Sequence, residues 1–386
     1  MSKLLEVQNL VLRFYTYAGV VKALEGVNLY LKEGETLGLA GETGCGKTMT
    51  GLSTLSLIPS PGKIESGRAL FKGKNGTLDL LGQKESTLRS IRGRDIAMIF
   101  QEPSSALNPV YSVEEQIAEV FFCHRKNELC KKVLEELESD IQSAEVGFLR
   151  GRAHSFERKI YRKMIRNSDS FSLKILSRIP IINLYKRRLN REVRKEVVKI
   201  LQEMNIPDPE RVAGMYPHEL SGGMQQRVVI GMALACNPMI LIADEPTTSL
   251  DVTVQAQILS LIKRLKKEFK SSILYITHDM GVIAELCDRV AVMYAGSVCE
   301  VADSLEIFKN PLHPYTQGLL ESIPRPGKEF KSIVGTVPNL ISPPSGCRFH
   351  PRCSKAMEMC SKVKPEIAEV KKEHFVECHL YAGRPK

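Results

Sequence analysis

The chain has 386 residues, 43% of them hydrophobic, and a formal net charge of +10. That is ample for a large core and points to two or three domains. The charge sits in one place: residues 146–195 hold fifteen Lys/Arg against three Asp/Glu, which is +12, so a nucleic-acid role does not follow from overall basicity.

Residues 1–40 alternate apolar and polar positions, with turn signals at Gly19, Gly26 and Gly34, and are expected to form short antiparallel strands. Met1-Ser-Lys-Leu-Leu-Glu-Val lacks the apolar stretch of a signal peptide, so none is expected. Phe14, Tyr15 and Tyr17 fall in the first turn region, where an aromatic ring either packs in a strand or stacks on a nucleobase. Then comes Gly41-Glu42-Thr43-Gly44-Cys45-Gly46-Lys47-Thr48, of the form G-x-x-x-x-G-K-S/T. The run before it, residues 35–40, is short and apolar; the run after it, Met49 to Ile58, lacks Pro and stops at Pro59. Strand, Gly-rich loop and helix is the context a phosphate-binding loop needs. Backbone N–H groups curl around the anion, and the new helix aims its positive end at the same point. In such a loop Lys47 reaches the β/γ-phosphates and the Thr48 hydroxyl ligates Mg²⁺.

Residues 62–95 read as a small strand-and-loop insertion. Asp95 to Phe100 is a strand ending at Gln101, a polar group at the carboxyl end where α/β sheets bind ligands. Tyr111–Phe122 and Glu128–Ile141 have helical spacing; basic helix-like text follows to 195, interrupted at Pro180, and Glu196–Met204 is helical again. Ser221-Gly222-Gly223-Met224-Gln225-Gln226 opens an apolar helix and presents a second set of N–H donors at a positive helix end. The longest apolar stretch, Val228 to Ala243, is broken by Asn237-Pro238, so no membrane-spanning helix is expected.

The strand Met239–Ala243 ends in Asp244-Glu245. Two adjacent carboxylates there are costly as filler, because an unpaired buried charge is expensive. Mg²⁺ accounts for the first, and alternation turns the second towards an attacking water. The strand Ser271–Ile276 ends in Thr277-His278-Asp279, which makes His278 a candidate γ-phosphate sensor. The tail carries Cys347, Cys353, Cys360 and Cys378 at C-x5-C-x6-C-x17-C. Ten Cys without a secretion signal point to reduced thiols or metal ligands. Four thiolates can hold zinc or an iron–sulfur cluster, and this spacing selects neither. Cys45, at a helix N-terminus beside Lys47, is expected to be a low-pKa, reactive thiol.

In order, these motifs resemble the ATP-binding subunit of an ATP-binding cassette (ABC) transporter. Residues 41–48 match the Walker A motif, Gln101 the Q-loop, Ser221 to Gln226 the signature, Ile240 to Glu245 Walker B, Ser249-Leu250-Asp251 the D-loop and His278 the switch histidine. Ile99-Phe-Gln-Glu-Pro103, Tyr216-Pro-His-Glu-Leu-Ser-Gly-Gly-Met224, His313-Pro-Tyr-Thr316 and Cys347-Arg-Phe-His-Pro-Arg-Cys353 narrow the resemblance to the oligopeptide/dipeptide importer branch. It implies an α/β fold, a P-loop NTPase ABC cassette: a mixed sheet core, an N-terminal antiparallel β-subdomain, a helical subdomain and a small Cys-rich C-terminal extension. The division it implies is 1–122 as the first part of the core, 123–195 as a basic helical insertion, 196–310 as the rest of the core and 311–386 as the extension.

The resemblance further implies catalytic roles for Glu245, His278 and Gln101, and Mg²⁺ ligation through Thr48, Gln101 and Asp244. It implies nucleotide contacts from Phe14, Gly41, Glu42, Thr43, Gly44, Cys45, Gly46, Lys47, Thr48 and Met49, and from Ser221, Gly222, Gly223, Gln225 and Asp251. Two such subunits sandwich ATP head to tail, and importers of this branch pair two different ones. Two transmembrane permeases, an extracytoplasmic substrate-binding protein and the cytoplasmic face of the cell membrane are the implied partners and place. Peptides are the implied cargo, with oligosaccharide or nickel as alternatives. Some relatives in this branch carry a 4Fe–4S cluster, which ranks it above zinc at the four Cys. Region 123–195 is longer than the family's usual link, and nothing carries over to it; its basic stretch 146–195 is expected to be a helical insertion with a solvated face or a membrane-surface contact, with nucleic acid a third option. Soluble ABC ATPases acting on DNA or ribosomes usually fuse two cassettes or carry a long coiled coil, whereas this sequence shows one cassette and no sustained heptads.

Overall fold

A computed structural model describes residues 2–382 except 75, 143–147, 167–183, 249 and 325–331. The chain divides into two compact units, one formed by residues 1–101 and 237–386, the other by Glu102–Cys236.

In the first unit, β1 (Lys3–Thr16) and β2 (Gly19–Lys32) pair antiparallel along most of their length. Gly26 is not a turn as its sequence signal implied: with φ 72° it bulges out of β2 between Glu25 and Val27, which pair with Val11 and Leu10. A glycine takes that left-handed backbone without the Cβ clash another residue would meet. The central strand of the unit is β3 (Thr36–Ala40). Beyond it, β4 (Gly62–Gly73) and β5 (Gly76–Asp79) complete a four-stranded sheet in the order β2-β1-β4-β5.

The second sheet adds β6 (Ile96–Ile99), β7 (Ile240–Asp244), β8 (Ser272–Ile276), β9 (Arg289–Tyr294), β10 (Ser297–Asp303), β11 (Ile367–Lys371) and β12 (His374–Glu377). Its order is β11-β12-β10-β9-β3-β8-β7-β6. The run β9-β3-β8-β7-β6 is parallel throughout, and β10, β12 and β11 extend it antiparallel. Every residue of β3, β7 and β8 is buried, as expected of parallel strands covered on both faces. Gly38 is required in β3: a Cβ there would meet Cys287 Sγ at 2.8 Å. One apolar core joins the two sheets, from Leu5, Leu12 and Leu24 on one to Leu39, Ile242 and Leu274 on the other.

The tail is welded to this core through β12. Glu300 on β10, fully buried, accepts from the Leu312 and His313 backbone N–H groups and lies 2.8 Å from His374 Nε2.

In the second unit, Ser112 and Glu115 form a capping box that starts the helix Val113–His124. Long helices follow at Lys126–Gln142, Phe148–Arg166 and Leu184–Glu203, and the helix Gly222–Leu234 starts at the Ser221 N-cap. Pro180 lies outside the described residues. The basic segment is partly neutralised within the unit. Arg188 reaches Asp140 at 3.0 Å and Glu157 at 3.2 Å, Arg194 reaches Glu114 at 2.6 Å, and Lys195 reaches Glu136 at 3.0 Å. The helix Lys126–Gln142, just outside the basic window, supplies two of these partners, Asp140 and Glu136.

The strand that carries the Gly-rich loop is pinned by a buried ion pair. Arg289 lies 3.0 Å from Glu35, donates to Tyr30 O at 2.8 Å and stacks 4.0 Å over the Tyr30 ring. Both ions are nearly inaccessible, and burial pushes the Glu35 carboxyl above its usual range against the pull of Arg289. Removing one member strands the other, whereas an apolar replacement of both does not. Arg289→Met is expected to cost about 3–5 kcal/mol in chemical denaturation, and adding Glu35→Leu to restore most of it. A double variant no more stable than Arg289→Met would show that the stranded charge is not the cause.

Candidate functional site

The loop after β3 turns through glycines at positive φ: Gly41 at 147°, Gly44 at 82° and Gly46 at 101°. At Gly41 a Cβ would sit 2.2 Å from Met293 O, so no side chain fits. The helix Lys47–Thr54 starts at Gly46, and its N–H groups open into the loop. Lys47 is buried, its ammonium donating to Gly41 O at 2.8 Å and Glu42 O at 3.2 Å. Glu42 is itself held: its N–H donates to Tyr315 Oη at 2.9 Å and its carboxylate pairs with Arg352 at 2.7 Å.

Sheet order assembles the rest. β3, β8, β7 and β6 are consecutive parallel neighbours, so their carboxyl ends lie along one edge. That edge carries the Gly-rich loop, His278, Asp244-Glu245 and Gln101 in turn, at the place where open α/β sheets bind ligands. Thr48 Oγ1 donates to Asp244 Oδ1 at 3.0 Å. Burial pushes the Asp244 carboxyl up to about 6, with the Thr48 hydrogen bond opposing and Glu245 adding to the rise. A buried carboxylate beside a hydroxyl is a donor pair that fits Mg²⁺, whose charge would stabilise the ionised form.

Glu245 has the opposite environment. Its backbone sits at φ 45°, a left-handed conformation that costs a non-glycine residue roughly 1–2 kcal/mol. Its N–H donates to Ile276 O at 2.9 Å, which anchors the turn. One carboxylate oxygen lies 3.0 Å from His278 Nδ1; the other accepts from Thr248 Oγ1 at 3.0 Å and Gln101 Nε2 at 3.3 Å. Burial alone would raise its pKa, but the His278 and Thr248 hydrogen bonds outweigh it and hold the carboxyl below its usual range. The site therefore sets an ionised carboxylate beside a second acid poised for a cation.

Lys47, Thr48, Asp244, Glu245, Gln101 and His278 are thus brought together. Met49 packs against the apolar core, as does Phe14, whose ring lies where a Cβ on Gly62 would touch it. The most exposed aromatic of that turn is Tyr17. Ser221 caps its helix through Met224 N, and Gln225 donates to Pro217 O and Leu220 O. With Gly222 and Gly223 they belong to the second unit. Asp251 caps the helix Val252–Phe269, and Ser249 lies outside the described residues.

Two expectations are corrected. Cys45 is not an activated thiol: it is almost inaccessible, and burial pushes its pKa up despite Lys47 nearby. A metal at the four tail Cys, whether zinc or an iron–sulfur cluster, is not supported either, since among the described residues no group of three or more His, Cys, Asp or Glu could hold a metal ion. The four Cys still share one neighbourhood. Burial pushes the Cys347 thiol up to about 11, and Cys360, Cys378 and Cys353 each add to that shift. Thr248, Tyr315 and Arg352 were missed from sequence. Thr248 follows Glu245 closely enough for a turn rule to have found it; nothing local connects Tyr315 or Arg352 to the loop.

A phosphate loop on a central parallel strand, with an acidic pair ending a nearby strand, defines a P-loop nucleotide hydrolase. The chain belongs to the ABC transporter family, and it is an ABC-type ATPase. Residues 24–248 match the family described as ABC transporter, and residues 299–360 match the oligopeptide/dipeptide transporter C-terminal region. The chain is 41% identical over 388 residues to the dipeptide transport ATP-binding protein DppD of Bacillus subtilis (strain 168), covering 100% of this chain and 96% of that one. It is 40% identical over 385 residues to the oligopeptide transport ATP-binding protein OppD of the same organism, covering 98% and 89%. Among solved structures, the bacterial ABC transporter cassette MJ0796 has a similar fold: TM-score 0.52 at 24% identity, over 78% of this chain and 98% of that one.

The burial of Cys45 is testable by mapping thiol labelling with mass spectrometry. Cys123 is exposed and is expected to react first with a small reagent, while Cys45 in the native chain reacts at least ~10-fold more slowly. Cys45 labelling at the rate of Cys123 would contradict the buried placement.

Proposed function

We propose that this chain is the ATP-hydrolysing subunit of a peptide importer, working in a nucleotide-sandwich pair on the cytoplasmic membrane face. The peptide cargo is supported by the printed functions of DppD and OppD and by the match of residues 299–360. Permeases and a substrate-binding protein follow from that reading. The second ATPase of the pair is a paralogous subunit, with the Ser221 signature of one chain serving the ATP of the other.

The observation that carries the mechanism is the set of donors on Glu245: His278 and Thr248 keep it ionised, and with Gln101 they aim it. It accepts a proton from, or orients, the attacking water. His278, half exposed beside it, is placed to report the γ-phosphate, and Gln101 would contact the water and help hold Mg²⁺. Lys47 turns from the loop carbonyls to the β/γ-phosphates. Thr48 and Asp244 would hold Mg²⁺, which when bound neutralises charge on the phosphate oxygens. Catalysis in such a site is mainly positioning and electrostatics, so loss of one carboxylate is decisive.

Glu245→Gln is expected to bind MgATP but turn over at least ~10²-fold more slowly, trapping the subunits as a closed pair. The measurement is ATPase rate in the assembled transporter, with light scattering to detect the pair. Near-normal turnover would sink the assignment.

The four tail Cys are proposed to hold a 4Fe–4S cluster through their thiolates. Support comes from their shared neighbourhood and from the hydrogen bond of Cys347 N–H to Cys360 O at 2.8 Å. Anaerobically purified chain is expected to contain about four iron and to absorb in the visible. One zinc without colour, or no metal, would refute the cluster.

A further inference from the structure

The phosphate loop is gripped from the far end of the sequence. Glu42 is its second residue, and Arg352 holds its carboxylate at both oxygens: Nη1 to Oε2 at 2.7 Å and Nη2 to Oε1 at 3.1 Å. Such a two-point grip fixes orientation as well as charge. Arg352 is immobilised in turn. Its Nε donates to Val334 O at 3.0 Å, its Nη1 lies 3.3 Å from Tyr294 Oη, and its side chain is 5% exposed. Tyr315, which accepts the Glu42 N–H, packs against Tyr294 and Phe349 at centroid distances of 4.6 and 5.3 Å. The tail therefore holds Glu42 by side chain and backbone at once. The Glu42 carbonyl is also one of the two that hold the Lys47 ammonium.

Two consequences follow for an anion in the loop. The grip fixes the peptide planes next to the phosphate cradle. It also cancels a carboxylate that would otherwise stand one residue inside an anion-binding loop and repel the phosphates. None of these contacts touches Glu245, so the effect falls on nucleotide binding rather than on the water. We propose that Arg352 is a positioning residue for ATP, acting through Glu42, and that the C-terminal extension is thereby a built part of the nucleotide site. The inference rests on the ATPase assignment.

The test uses the full-length chain and MgATP, with Kd by calorimetry, KM and kcat by phosphate release, and thermal melting as a check on folding. Arg352→Met keeps an apolar stem against Tyr294 and is expected to raise Kd and KM for MgATP about 10-fold, with KM rising more than kcat falls. Arg352→Lys is expected to give an intermediate Kd, because an ammonium cannot hold two oxygens in a fixed plane. The decisive variant is Arg352→Met with Glu42→Gln. Removing the freed carboxylate should recover part of the affinity, whereas a merely structural role predicts losses that add. Wild-type affinity in Arg352→Met, or additive losses in the double variant, would overturn the proposal. If Arg352→Met does not fold, the Lys and Gln single variants decide it: unchanged MgATP affinity in both refutes the grip. A wild-type chain that fails to bind MgATP would instead refute the ATPase assignment itself.

Discussion

The register of four parallel strands is the constraint on which the site depends. Because β3, β8, β7 and β6 are neighbours and run the same way, residues far apart in sequence end on one edge. A shift of one residue in β7 would turn Asp244 to the opposite face of the sheet, since strand side chains alternate. The hydrogen bonds of the strand ends guard against that slip: Glu245 N–H donates to Ile276 O, and Thr277 N–H donates to Leu39 O. Backbone pairing thus sets the chemistry, and the side chains inherit their roles from it.

The acidic pair shows how finely that inheritance works. Asp244 and Glu245 are adjacent, yet one is buried with a hydroxyl partner and the other sits in a turn among three donors. Their proton affinities move in opposite directions for that reason. The left-handed backbone at Glu245 is part of the arrangement: it turns the carboxylate out of the strand's alternation, a strain the surrounding hydrogen bonds sustain.

Much of this was legible in the sequence, because the signals were local. The Gly-rich loop declared itself through its flanks, and Gln101, Asp244-Glu245 and His278 through their positions at strand ends. Where reading failed, a non-local quantity decided. Cys45 has the electropositive neighbours of a reactive thiol, but burial by a sheet that no window contains outweighs them. Gly26 carries a turn residue's signal, yet cross-strand pairing runs through it and makes it a bulge. The count over the basic segment stands, but it shows no pairing: Arg188 and Lys195 find Asp140 and Glu136 in the preceding helix, outside the counted window.

The place of β3 in the sheet has a consequence for synthesis. Its residues 36–40 are made early, but both strands that flank it, at 272–276 and 289–294, emerge more than two hundred residues later. Until then the glycine loop has sequence without shape, for its anchoring hydrogen bonds do not exist. The second unit, continuous from 102 to 236, is complete on the ribosome first and packs from its own residues. A nascent or shortened chain that stops before residue 272 therefore carries the Walker A text without the strands that flank it.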